Sequence, residues 1–509
     1  MKNYFWTLLV LLYWTNLMAQ QDERVHAIHQ FDQTNYSSTI QDLLKIENKG
    51  AGDFESKIIL SESYFKQRNF KEALDWLIKA TAINTLSEKY NIQLANLYKM
   101  NGNYIASDSI YLMYGNIYKA KISSTIRDIK PSNYSVLSLS NLNTAGDDFS
   151  PSYYRDGIVF ISNAKSKKSL FNWNNRPWLK IYQIPFLPTG KEKSNIQELE
   201  IPKVNNFHGG PVTFTRQDKI IYFSHSQNLS KMSKSNIDHL GIYSANKKQN
   251  KWTDLKPISF NNPSYSISHP TISDDGKEMY FVSDMPGGFG GTDIYYTRNS
   301  GYKWSTPINV GPVINTSEDE LFPLLHKDGT LYFASEGHNG YGGLDIFYSK
   351  FENGQWSKPT NMGKPVNSGF DDFGLILDKN KTNGYFSSNR LGGAGSDDIY
   401  RLVSLENIEN LTSNILKGTV KDKSTNDYIK NATITFLDQN LKQIKVQTDH
   451  LGFFEIALPA NIENIHLFTT SPQYFPSDIE ISALKDNSQL NIELQKIQLN
   501  KSIIIPNIY

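Results

Sequence analysis

Between Ile267 and Leu402 the chain repeats one unit at a period of 52 residues. Trp252, Trp304 and Trp356 fall on that period, as do Tyr280 and Tyr332, and Asp293, Asp345 and Asp397. Each unit has four parts. A short opening strand comes first (Pro270-Thr-Ile-Ser, Pro323-Leu-Leu-His). A polar turn and an aromatic strand follow (Met279-Tyr-Phe-Val-Ser, Leu331-Tyr-Phe-Ala-Ser, Gly384-Tyr-Phe-Ser-Ser). A Gly-rich turn then leads into Asp-Ile-Tyr or Asp-Ile-Phe, and a strand opening on Trp closes the unit. Four short strands at a fixed period describe the blade of a β-propeller. Blades are expected to start at Pro151, Pro211, Pro270, Pro323 and Phe373-Gly374, with insertions at Lys165–Pro177 and Gln227–His239 in the first two. The last unit has no Trp strand, so the alternating stretch Tyr134–Ser140 is expected to complete it and close a ring of five.

Residues 24–130 have a different period, 34. Asn35-Tyr36, Asn69-Phe70 and Asn103-Tyr104 repeat at it, and Leu60-x-x-x-Tyr64 returns as Leu94-x-x-x-Tyr98. This is the tetratricopeptide period, so three helical repeats are expected, with a plain helical bundle as the alternative. Pro131-Ser132-Asn133 breaks the pattern. A polar linker at 403–414 follows the propeller region of 134–402. From 415 to 497 short alternating strands predict a β-sandwich.

Three resemblances follow from these motifs. Asp-Gly-x-x-x-Tyr-Phe-x-Ser with Gly-Gly-x-Asp-Ile-Tyr resembles the TolB-type, WD40-like propeller repeat of bacterial envelope proteins. Gly418-x-Val420-x-Asp422, Asn431–Phe436 and Thr448-Asp449-x-x-Gly452-x-Phe454 resemble the carboxypeptidase-regulatory-like domain, which implies no catalytic residue. The order of domains resembles an OmpA-family envelope protein of the type IX secretion and gliding kind. In that resemblance residues 498–509 mark the start of an OmpA-like domain that is missing here. The expected fold is therefore multidomain: an α-helical tetratricopeptide solenoid, then a five-bladed β-propeller, then a β-sandwich.

Composition narrows the function. The chain of 509 residues has 52 basic and 51 acidic residues and a net charge of +1, which disfavours a nucleic-acid binder. It has no cysteine, and so no disulfide, thiolate metal site or Cys nucleophile. Residues 1–19 read as a signal peptide, with Lys2 before a short apolar run and Ala19 at the cut. The alternative is a membrane anchor, for which the run is short.

Three groups of residues could carry chemistry. The Gly-rich turns ending at Asp293, Asp345 and Asp397 have a calcium-like spacing, but each offers too few oxygens, and a structural turn is the stronger reading. Acids recur before the blades: Asp147 and Asp148, Glu318, Asp319 and Glu320, Asp371 and Asp372. These suit a cation or acid–base site, or else ties between blades. His208, His269 and His326 recur without matched positions. No nucleophile elbow, P-loop or HExxH motif occurs. No catalytic, cofactor-binding or metal residue is assigned, no cofactor is expected, and the chain is expected not to be an enzyme. The expected function is a cell-envelope scaffold, exported to the periplasm and associated with the outer membrane. Its partners would be outer-membrane and periplasmic proteins, with peptidoglycan reached through a partner or a missing domain. The alternative is a periplasmic propeller that binds a small ligand such as a sugar or muropeptide.

Overall fold

The structure, a computed structural model, describes residues 22–114, 129–139, 142–163, 170–171, 173–185, 196–202, 208–227, 239–301, 303–405, 414–437, 443–458, 463–483 and 489–496. The expected signal peptide and the segment 498–509 lie outside these residues. The chain divides into two compact units, Met1–Leu402 and Val403–Tyr509.

The first unit is dominated by five sheets of four strands, the fourth sheet with one extra short strand, Thr360–Asn361. Their inner strands are Asp148–Tyr154, Gly209–Phe214, Ile267–Ile272, Glu320–Leu325 and Asp372–Leu377. These pack side by side in cyclic order, the fifth against the first. Tyr134–Ser138 joins the outer edge of the fifth sheet, so the ring is closed by a strand from its own N-terminal side.

The repeated Tyr-Phe pair explains how the ring holds together. Successive strand residues face opposite sides of a sheet. Phe223, Phe281, Phe333 and Phe386 therefore face the preceding blade, while Tyr222, Tyr280, Tyr332 and Tyr385 face the next. Every junction between blades is filled this way, and the five equivalent phenylalanines, Phe160 included, are at most 1% exposed. The repeated Trp covers the neighbouring Tyr: Trp304 meets Tyr222 at 5.9 Å and Trp356 meets Tyr280 at 6.2 Å between ring centroids.

A second device is polar. Asn315 Nδ2 donates to the carbonyl of Ile294 at 3.0 Å, and the Ile294 N–H donates to Asn315 Oδ1 at 2.9 Å. Asn143 does the same to Ile399, Asn261 to Ile242 and Asn367 to Ile346. A side-chain amide thus satisfies the Ile of each Asp-Ile-Tyr segment as a strand would.

The proline at the blade starts has its own reason. Each inner strand shifts register at one place, between Phe149/Ser152, Gly209/Val212, Ser268/Thr271, Leu321/Leu324 and Phe373/Ile376. Four of the five strands place a proline in that bulge, where its missing N–H costs no ladder bond.

The expectation of a tetratricopeptide solenoid leading the fold is corrected. The chain is mainly β, and its described helices are six short ones: α1 (22–32), α2 (Tyr36–Asn48), α3 (Phe54–Lys66), α4 (Phe70–Thr81), α5 (Glu88–Met100) and α6 (Tyr104–Met113). No solenoid of any extent is built. The period of 34 has in part a local cause, beside the packing of Leu60, Phe70 and Leu94 between neighbouring helices. Asn35, Asn69 and Asn103 are the N-caps of α2, α4 and α6, all with φ −89°, and Asn69 and Asn103 accept the N–H of Glu72 and Ala106. A recurring cap marks where helices start, not how many repeats stack.

In the second unit Asn414–Asp422 pairs with Phe453–Leu458 and with Gln489–Leu494. A second sheet orders Gln443–Gln447, Thr433–Leu437, Glu463–Thr470 and Ser477–Ala483. Leu416, Val420, Ile434, Phe436, Leu467 and Ile492 form the core. In the Thr-Asp-x-x-Gly turn, Asp449 accepts the N–H of Leu451 and Phe453 at 2.8 and 2.9 Å, and Gly452 takes φ +73° with no room for a Cβ beside Tyr428.

Candidate functional site

The acid pairs before the blades divide into two roles. The second acid of each pair is a buried cap. Asp148 Oδ2 accepts the N–H and hydroxyl of Thr144 at 2.6 and 2.7 Å. Glu320 accepts both from Thr316, each at 2.7 Å, and Asp372 accepts both from Ser368 at 2.5 and 2.8 Å. The same threefold pattern ties each loop to its inner strand.

The first acids belong to a cluster at that end of the ring. Asp371 is held by Asn389, whose Nδ2 donates to Oδ2 at 3.0 Å, and Asp147 is held in the same way by Asn163. At the equivalent place in the fourth blade the partner of Asp319 is Glu336, whose N–H donates to the Asp319 carbonyl at 3.1 Å. A carboxylate therefore stands where the other two blades carry an amide. Arg68, in the turn between α3 and α4 at φ +59°, reaches into this cluster. Its Nη1 donates to Glu336 Oε1 at 2.8 Å and to Asp371 Oδ1 at 3.3 Å. Arg176, from the insertion in the first blade, pairs with Asp147 and donates to Ser396 Oγ at 2.6 Å. Asp397 stands among them.

Five carboxyls against two guanidiniums leave the cluster short of positive charge. Burial raises the Asp397 carboxyl to about 8, with Asp147 and Asp371 adding to the rise and Arg68 and Arg176 opposing it. Burial also raises Asp319, helped by Glu336. It raises Asp371 and Asp147 too, where Arg68 and Arg176 respectively pull back. For Arg68, whose side chain is 38% exposed, partial burial disfavours the charge, but Asp371 and Glu336 outweigh it and push its pKa up. A carboxyl that holds its proton near neutral pH beside ionised acids is suited to general acid–base chemistry. The same charges hold the helices to the propeller.

That attachment has further contacts. Gln67 Nε2 donates to the Trp173 carbonyl at 3.0 Å, and the Tyr36 ring meets Trp173 edge-on at 4.8 Å. Phe370, from the loop before the fifth blade, packs into the core of α3 to α6. Gly369 lies against the Met100 carbonyl, where a Cβ would come within 2.7 Å.

The Gly-rich turns are structural. The Oδ2 atoms of Asp293, Asp345 and Asp398 accept backbone N–H groups of Phe289, Gly342 and Ala394 at 2.6, 3.2 and 2.6 Å. The 52-residue spacing singles out Asp397, but the turn acid is Asp398. The polar turn before the aromatic strand, Asp378–Thr382, is longer in the fifth blade, which slips the period and leaves Asp397 free for the cluster. The three histidines do not meet. His208 lies on Trp178, with ring centroids 4.4 Å apart, and His269 stacks on Phe322 at 3.9 Å. His326 contacts Asp328 and the Asp378 carbonyl. Burial lowers His269 to about 3 and His208 to about 4, so both are neutral. Among the described residues no group of three or more His, Asp or Glu is arranged to hold a metal ion. A cavity between the inner strands, lined by segments such as Ser150–Ser152 and His269–Thr271, encloses about 60 Å³. That holds a few waters and is far below the roughly 300 Å³ of a small-ligand pocket. Sequence reasoning passed over Arg68, Arg176 and Glu336. The signal for Glu336 was available in the residue after the blade serine: Asn163, Asp284, Glu336 and Asn389.

No protein-family model matches the chain. No curated protein matches it either. Solved structures similar to it include a puromycin-hydrolyzing peptidase of Mycobacterium tuberculosis (14% identity, 48% of this chain and 35% of that one, TM-score 0.27). A protein described as TolB from Agrobacterium tumefaciens is similar at 11% identity over 53% of this chain and 90% of that one, with TM-score 0.30. An arabinanase of Bacillus subtilis is similar at 14% identity over 52% and 94%, with TM-score 0.33. The chain spans about a third of the peptidase and nearly all of the other two. The TolB-type and arabinanase structures are consistent with a β-propeller. The expectation that the chain is not an enzyme is withdrawn, because glycosyl hydrolases, the arabinanase and mannoside phosphorylases stand among the similar structures. At these identities and scores they assign it no reaction. No described helix is long and apolar enough to cross a membrane.

Proposed function

We propose that this chain is a docking scaffold of the bacterial cell envelope, in which the short helices and the propeller offer partners one continuous rigid body. The observation that carries this reading is Arg68. It leaves the helical turn, enters the carboxylate cluster and bonds two blades at once, through Glu336 and Asp371. Helices that merely rested on a propeller would need no such tie. The resemblance to envelope proteins gives the partner class: proteins of an outer-membrane secretion or gliding complex, with peptidoglycan nearby.

Affinity capture from cross-linked envelopes tests this. Recovery of a defined set of outer-membrane or periplasmic proteins is expected. Capture indistinguishable from an untagged control would overturn the proposal.

A further inference from the structure

We propose that two junctions of the propeller are each closed by a proton shared between two buried carboxyl groups, Glu320 with Asp293 and Asp148 with Asp398, so that ring closure loosens when those protons leave. The backbone sets up both pairs in the same way. The Glu320 N–H donates to the Thr292 carbonyl at 2.7 Å, and the Asp148 N–H donates to the Asp397 carbonyl at 2.8 Å. Each bond joins an acid at the head of one blade to the residue just before the turn acid of the neighbouring blade. Asp148, Asp293 and Glu320 are at most 1% exposed, and Asp398 is 1% exposed. Asp293 Oδ1 and Asp148 Oδ1 make no hydrogen bond among the described residues. A buried carboxylate oxygen without a donor is costly, and a protonated carboxyl next to it is the donor that fits. Two carboxylates held together cannot both ionise cheaply.

The junction between the fourth and fifth blades shows the alternative. It brings together Asp345 and Asp372 by the same backbone bond, Asp372 N–H to the Leu344 carbonyl at 2.6 Å. There Arg390 Nη2 donates to Asp372 Oδ1 at 2.5 Å and to the Val366 carbonyl at 2.6 Å. The guanidinium serves Asp372 alone: Asp345 Oδ1 is left without a hydrogen bond among the described residues there too, and burial with Asp372 beside it raises the Asp345 carboxyl.

Other charged groups do not replace it. Glu320 bonds Thr316 and Ser335 within its own blade and feels the charge of Asp293 across the junction. His338, beside Ser335, gives its ring Nε2 to the Ile314 carbonyl, and burial keeps it neutral. Arg68 bonds Glu336, not Glu320. Around Asp148 and Asp398 stand Tyr182, Tyr400 and the acid Asp147. Burial raises Glu320 from 4.5 to about 7, with the Ser335 and Thr316 hydrogen bonds opposing and Asp293 assisting. Burial also raises Asp398, with Asp148 assisting after the opposing backbone bonds of Gly395 and Ala394. The folded form therefore binds these protons more tightly than the unfolded chain. The stabilisation from Glu320 is complete below pH 4.5 and is lost as pH rises through about 7; that from Asp398 is lost in the same direction, as pH rises.

The test is thermal unfolding of the full chain between pH 5 and 9, followed by tryptophan fluorescence. From residue 403 onward the chain has no Trp, so the signal reports the first unit. The wild-type melting temperature is expected to fall as pH rises through 7. Glu320→Gln, which keeps a donor without a titrating proton, is expected to melt a few degrees above wild type at pH 8.5 and to flatten the slope. Asp372→Asn, which strands Arg390, is expected to melt lower at every pH. A Glu320→Gln profile parallel to wild type overturns the proposal. If the variant fails to fold, infrared difference spectra of Asp397→Asn decide, since Asp397 would supply the same band in the wild type: a protonated-carboxyl band present at pH 6 and gone by pH 9 supports the proposal, and no such band overturns it.

Discussion

The helices and the blades both announce themselves by repeats in the sequence, and the two repeats mean different things. The 52-residue repeat is made of residues that work across a gap. Phe333 fills the junction behind its blade, Tyr332 the one ahead, and Asn315 bridges to the blade before. The 34-residue repeat mixes caps that work within a few positions, such as Asn69 capping α4 through Glu72 N–H, with residues such as Leu60 and Leu94 that pack against neighbouring helices. A repeat built from long-range contacts specifies an architecture. A repeat of caps and neighbour contacts specifies where helices begin and how adjacent ones pack, and here the helices are too few and short for a solenoid.

Substitutions separate the two kinds of repeat by size and reach. Phe333→Ala is expected to cost about 4 kcal/mol and to lower the urea midpoint of the whole first unit in one transition. A local change near the fourth blade alone would break the comparison. Asn315→Ala strands a backbone N–H and carbonyl of Ile294 and is expected to cost about 2–3 kcal/mol, again across the unit. Arg68→Ala is expected to cost about 1 kcal/mol, since the guanidinium is partly exposed and screened. Its effect should shrink in high salt, which denaturation at two ionic strengths checks. Asn103→Ala is expected to cost about 1 kcal/mol or less, read as fraying of α6 in circular dichroism with no change in the tryptophan transition.

The same distinction explains what was legible in the sequence. The blades could be read because every junction reuses one solution, so Tyr-Phe, Trp and Asp recur at measurable spacing. The inner-strand bulge could be seen only as a proline, since its register shift is a property of two paired strands. The carboxylate cluster was half legible. Asp147, Asp319 and Asp371 stood out as acids before blades, but nothing local distinguished them from Asp148, Glu320 and Asp372, which turn out to be buried caps. Asp397 was placed in the wrong role, because one longer turn shifted the period by a residue. Arg68 could not be found from the propeller's sequence at all: it lies about 270 residues from Glu336, in a turn between helices.

That remote contact bears the central claim, that helices and propeller are one body. Hydrogen–deuterium exchange on wild type and Arg68→Ala tests it most directly. In the variant, amides at 64–70 and those around 336–344 and 369–371 are expected to lose protection together, while the distant second blade keeps its own. Loss confined to the helical turn, with the propeller amides unchanged, would contradict the account.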